Sequence, residues 1–237
     1  MKNVHDDEPH DHELSSRLNG LRAAVLGAND GIVSTAGLVV GVAGATIARG
    51  PIVTAGIAGL LAGAISMAVG EYVSVSTQRD TEKALLSKER AELKEKPAAE
   101  LAELAQIYED KGLKPGTAWQ VAVELTEHDA FTAHAEAELR IDPDDLTNPW
   151  QAAIASFFSF ALAALLPILA ISLPPVPLRV PVTFGAVVIA LALTGAISAR
   201  LGGADTRHAV IRVVAGGAIA MIVTFVAGQF LGDFAGI

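Results

Sequence analysis

The sequence predicts an all-α membrane protein with five transmembrane helices and a cytosolic three-helix polar domain inserted between spans two and three. Two observations predict the class. The chain is 51% hydrophobic with a mean hydropathy of +0.45. Its apolar residues gather in five blocks, at 23–48, 52–78, 150–172, 180–199 and 213–232. Each block holds roughly the 20 residues that cross a bilayer as a helix. Five such blocks buried in a soluble fold would need an implausibly large core. A third observation places the insertion. Residues 79–148 carry 17 acidic and 9 basic side chains, nearly all of the net charge of −9. The expected division is a tail at 1–20, spans one and two at 21–78, the polar domain at 79–148, and spans three to five at 149–237.

The tail is acidic and polar, without the basic start and apolar stretch of a secretory signal. Its His5, His10 and His12 read as part of a disordered segment. The first block then begins after Arg17 and Arg22. Arg79, Lys83, Lys88 and Arg90 follow the second block, and Arg200, Arg207 and Arg212 lie between the fourth and fifth. Only Arg49 and Arg179 lie at the opposite ends. By the positive-inside rule the N-terminus and 79–148 are cytosolic, and the C-terminus faces the other side.

Between residues 23 and 78 the charged side chains are Asp30, Arg49 and Glu71. Arg49 falls in an expected turn with Gly50 and Pro51. The two carboxylates fall inside apolar runs, where an ionisable group marks a functional site by default. At 1.5 Å per residue Asp30 lies about 14 Å from the cytosolic end of its span, Glu71 about 12 Å and Met67 about 18 Å. All three converge near the middle of a hydrocarbon layer about 30 Å thick. Two carboxylates and a thioether at that depth suit a cation of some softness, such as Fe(II) or Mn(II). Gly27 and Gly31, Gly37 and Gly41, and Gly59 and Gly63 are spaced for close packing of the first two helices. Asn29, Asp30 and Gly31 also form a candidate local break in the first helix.

From Asp80 to Lys96 neither Gly nor Pro occurs, so the second span is expected to run on into the cytosol as one helix. Pro97 marks a break and opens a helix over 98–110. Gly112 is a C-terminal stop, and Lys114, Pro115 and Gly116 form a turn. A third helix is expected from Thr117 to Leu139. Glu89 and Glu92 share one helical face, as do Glu100 and Glu103. Across the break the two faces can meet as a carboxylate box, with His134, Glu136 and Glu138 offered by the third helix. The same pattern also fits a solvated acidic surface, with the leucines inward. Trp150 starts the third span at the interfacial belt. Pro167 is a candidate kink in it. Pro174, Pro175 and Pro177 stiffen the following loop.

Cysteine is absent, which excludes disulfides, thiolate metal sites and cysteine nucleophiles. A basic patch for nucleic acid is absent too, as is a phosphate-binding loop, which argues against direct ATP driving. An enzyme alternative is a membrane-attached ferroxidase. It would ordinarily need Glu-x-x-His pairs on facing helices, and Leu125 and Phe131 occupy the places three residues before His128 and His134. A further alternative is a metal sensor that binds without transport.

The runs GANDGIVSTAGLVVGVAGA, GLLAGAISMAVGEYVSVSTQRDTEKA and ELAELAQIYEDKGL resemble the vacuolar iron transporter family. The likeness covers nearly the whole chain from Leu14 onward. Its most specific part is the stretch Ser66 to Ser74, which contains Met67 and Glu71. The resemblance implies a transporter, not an enzyme. It implies Fe(II), often Mn(II), exported from the cytosol in exchange for protons, by a homodimer with the path along the subunit interface. Asp30 and Met67 match the family's intramembrane metal residues, and Glu71 its acidic slot for metal or proton handling. Glu89, Glu92, Glu100 and Glu103 match the capture glutamates, and Glu138 the acid on the third helix. Some members place methionines just before that acid, where this chain has His134 and Ala135. A nitrogen ligand then replaces a sulfur one. The metal enters as cargo and as ligand of the cytosolic domain; no permanently bound cofactor is implied. Its partners are metal ions, protons and the lipid bilayer.

Overall fold

The computed structural model describes residues 11–236. They form seven α-helices: α1 (Asp11–Ala45), α2 (Arg49–Glu95), α3 (Pro97–Asp110), α4 (Pro115–His134), α5 (Pro149–Ser172), α6 (Arg179–Leu201) and α7 (Thr206–Ala235). A π-helical turn, Ala135–Leu139, follows α4, and a 3-10 turn, Val176–Leu178, precedes α6. Five stretches are long and apolar enough to cross a membrane: Ala23–Ala45, α2, α5, Val176–Leu201 and Thr206–Phe234. The expected tail residues 1–10 lie outside the described part. Helix α1 starts at Asp11, ahead of the first apolar block.

The chain divides into two compact units. One is apolar and comprises Arg17–Tyr72 and Trp150–Ile237; the other is polar and centres on Val73–Pro149. Helix α2 contributes to both. The apolar unit is held by Ile32, Ala36, Val39 and Val40 of α1, Ile52 of α2, Ile168 and Ile171 of α5, Val187 and Leu191 of α6, and Met221 of α7. Many large apolar side chains on the other helix faces stay exposed, among them Leu61, Ile65, Leu162, Ile189 and Val223. That is the pattern of helices whose outer faces meet lipid instead of water.

Several local expectations are corrected. The turn between the first two spans is at residues 46–48 instead of Arg49, Gly50 and Pro51. Pro51 sits in the first turn of α2, where its missing N–H has no helical partner to lose. Helix α1 runs unbroken through Asn29, Asp30 and Gly31. Pro115 opens α4 as its first residue instead of making a turn, for the same reason as Pro51. Pro167 sits within α5, which continues to Ser172.

The glycine pairs do pack closely, but mostly against other partners. A Cβ on Gly31 would lie 2.5 Å from the Phe160 carbonyl oxygen of α5, and Gly41 abuts Thr224 of α7. On α2, Gly59 faces Leu38 of α1 and Gly63 faces the Phe160 ring. The spacing correctly marks close approach; a four-residue repeat carries no information about which helix approaches.

Arg179 is a buried cation in the apolar unit, at 8% exposure. Its Nη1 donates to the Ile47 carbonyl at 2.8 Å and its Nε to that of Pro174 at 3.4 Å. Just beyond the end of α1, and close to unpaired helical carbonyls, a guanidinium is favourably placed.

Candidate functional site

In the polar unit the site is built by three helix ends. Helix α2 stops at Glu95 because Lys96 precedes a proline and is pushed out of helical geometry, to φ −136 and ψ 49. Pro97 then starts α3, and Gly112, at φ +101, lets the chain turn towards α4. Leu104 and Ala105 of α3 pack on Ala122 of α4, with Leu101, Leu125, Ala133 and Ala137 around them. This small core fixes which faces point inward.

The expected single helix over 117–139 is two helical pieces and a π turn. Asp129 has extended backbone, φ −160 and ψ 94. Its carboxylate accepts from the Thr132 N–H at 3.1 Å and from the Thr132 hydroxyl at 2.9 Å. Asp129 thus caps a new helical start, and these bonds hold its carboxyl below the usual carboxylate range. After the restart comes His134, then the π turn, closed by Arg140 in left-handed geometry at φ 56. Such turns recur at functional sites.

The result brings together Glu89 of α2, Glu100 of α3 and His134 of α4. Their exposures are 2%, 6% and 0%. One ligand atom from each lies within 4.8 Å of the others. His134 Nδ1 is 3.1 Å from Glu89 Oε1, 3.8 Å from Glu100 Oε2 and 3.8 Å from Glu138 Oε2. Two ligands each about 2.1 Å from one ion stand roughly 3 to 4 Å apart, so these separations suit a shared cation. Neither ring nitrogen of His134, nor Glu89 Oε1, makes a hydrogen bond of ordinary geometry among the described residues. Buried polar atoms without partners are expensive, and one metal ion would satisfy His134 Nδ1 and Glu89 Oε1 together.

Burial, and after it the charges of Glu138 and Glu100, push the Glu89 carboxyl up to about 7. Burial, then Glu103, raises Glu100 as well, against the opposing pull of His134. The four-glutamate box therefore forms only in part. One glutamate of each pair turns inward. Glu92 instead pairs with Lys88 at 3.0 Å, and Glu103 is exposed. Glu138 stands at the rim with its side chain 30% exposed.

In the apolar unit Asp30 and Met67 line one cavity of about 270 Å³, together with Ser34, Thr35, Ser66 and Phe160. Met67 is half-buried against Ala64 and Phe160, while Asp30 is exposed at the cavity edge. Glu71 is half-buried and is not among the lining residues. Sequence reasoning missed Ser34, Thr35 and Ser66. Their only signal is that hydroxyls interrupt an apolar run, which is common in membrane helices.

A family model described as the VIT family matches residues 21–229. A vacuolar iron transporter from Acanthamoeba castellanii is 42% identical over 226 residues, covering 94% of this chain and 82% of the relative. Vacuolar iron transporter homolog 5 from Oryza sativa is 37% identical, covering 90% and 81%. Vacuolar iron transporter homolog 2.1 from Arabidopsis thaliana is 34% identical, covering 96% and 89%. With a family model spanning most of its length and relatives this similar, the chain belongs to the VIT family of vacuolar iron transporters.

Proposed function

We propose that this protein moves divalent transition metal, Fe(II) with Mn(II) as a second cargo, out of the cytosol in exchange for protons, and that it is not an enzyme. The observation that carries the reading is the shared cavity of Asp30 and Met67. Both lie within stretches apolar enough to cross a membrane. A carboxylate in such a place is costly unless it serves an ion path, and a ferroxidase or a sensor with its metal in a polar domain has no use for it. The relatives named as iron transporters supply the cargo class.

In this reading Glu89, Glu100 and His134 capture the ion, with Glu92, Glu103 and Glu138 drawing it in from solvent. Asp30 and Met67 then hold it within the membrane, while Glu71 handles the proton. A carboxylate that releases a dication at that depth must be neutralised, and a proton does this at least cost. The working unit is a homodimer, with the N-terminus in the cytosol and the C-terminus opposite. Its test is the purified protein in liposomes holding an Fe(II)-sensitive dye and a pH dye. Metal should enter as protons leave. Metal flux that ignores a collapsed pH gradient removes the antiport, and absence of any flux removes transport.

A further inference from the structure

The cavity between α1 and α2 has a third donor that the transport reading does not use. In an apolar medium a serine or threonine hydroxyl ordinarily returns its proton to a carbonyl of its own helix. Ser34 does so to Asp30 at 2.6 Å, Thr183 to Arg179 at 2.7 Å and Thr224 to Ala220 at 2.9 Å. Thr35, next to Ser34 on the same helix, departs from this habit. It is 1% exposed, and its Oγ1 is buried without a hydrogen-bond partner among the described residues. Thr35 lines the same cavity as Asp30 and Met67.

We propose that the Thr35 hydroxyl is an oxygen ligand of the ion in this cavity, acting beside the Asp30 carboxylate and the Met67 thioether. The proposal rests on the transport reading above. A dication entering a membrane sheds water, and each lost water oxygen needs a replacement from the protein. Even a carboxylate and a thioether from each subunit of the homodimer leave an octahedral transition-metal ion short of ligands. A buried hydroxyl with its lone pairs uncommitted supplies another without adding charge. The resulting mixed oxygen and sulfur set favours Fe(II) and Mn(II) over softer ions, since it adds a hard donor.

The rival account is that Thr35 only packs, through its methyl group. Valine keeps that shape and drops the oxygen, and serine keeps the oxygen and drops the methyl. The test uses the full-length protein in liposomes, with Mn(II) uptake measured across concentration. Thr35→Val should raise KM about tenfold, the loss of one contact to a charged partner. Thr35→Ser should stay near wild type. The melting temperature of the metal-free Val variant should not fall, because no protein hydrogen bond is lost. Thr35→Ala repeats the test with a smaller side chain should valine fail to insert. An unchanged KM in Val or Ala overturns the proposal, as does a Ser variant as weak as Val. Should wild type move no metal, the transport reading fails by itself. Mn(II)-dependent thermal stabilisation of Thr35→Val against Thr35, both carrying Glu89→Gln and Glu100→Gln, then decides the ligand: a reduced shift supports it and an equal shift overturns it.

Discussion

His134 Nδ1 lies 3.1 Å from Glu89 Oε1, yet the two atoms do not form a hydrogen bond of ordinary geometry. The pair spans α2 and the restarted end of α4, and both side chains are buried. A 3.1 Å approach that misses hydrogen-bond alignment suits two ligands arranged around a third body. It motivates the first expectation. Mn(II) at a hundredfold excess over Kd should stabilise the protein by about 2.7 kcal/mol. In Glu89→Gln with Glu100→Gln the tightest binding step should vanish from a calorimetric titration of the full-length protein. Uptake should slow at limiting metal and recover at saturation, since the membrane cavity is untouched. A titration identical to wild type would return these residues to a merely structural role.

The second expectation concerns pH. The Glu89 carboxyl is pushed up to about 7 in the folded, metal-free protein, against 4.5 for an ordinary glutamate. The folded state therefore holds this proton more tightly than the unfolded chain does. That contribution to stability is complete below about 4.5 and is lost as pH rises through about 7. Metal must displace the proton, so affinity moves the other way and increases across the same window. Melting temperatures with and without Mn(II) between about pH 5 and 8 check both halves. Relative to Glu89→Gln, the metal-free wild type should lose stability with rising pH while its Mn(II)-induced shift grows. A shift that stays flat with pH would contradict the assignment of Glu89 as a ligand.

In the apolar unit, Asp30→Ala and Met67→Ala should each abolish uptake without blocking insertion, because both side chains line the same cavity. Glu71 is expected to behave differently, since it does not line that cavity. Glu71→Gln should leave measurable metal movement but weaken its dependence on a pH gradient. Paired dye measurements in liposomes separate the outcomes. Wild-type rates in either of the first two variants would remove the cavity from the path.

The sequence by itself determined the number of candidate spans and the polar insertion between the second and third. Helical crossing needs only length and apolarity, which composition states directly. The break before Pro97 and the turn at Gly112 were equally legible, because each follows from one residue's backbone limits. Only the tertiary structure decided which acids come together. Spacing by three put Glu89 with Glu92 and Glu100 with Glu103, yet Glu89 and Glu100 are buried, while Glu92 is half-buried beside Lys88 and Glu103 is exposed. His134 joins them only because Asp129 interrupts α4 and restarts it. Likewise the glycines of α1 promised close packing but not its partners, which are α5 and α7. That the Thr35 hydroxyl is unpaired, unlike that of Ser34, is visible only in the tertiary structure. A local pattern fixes what lies on one helix face; which faces meet depends on burial shared among several helices, and no single segment carries that information.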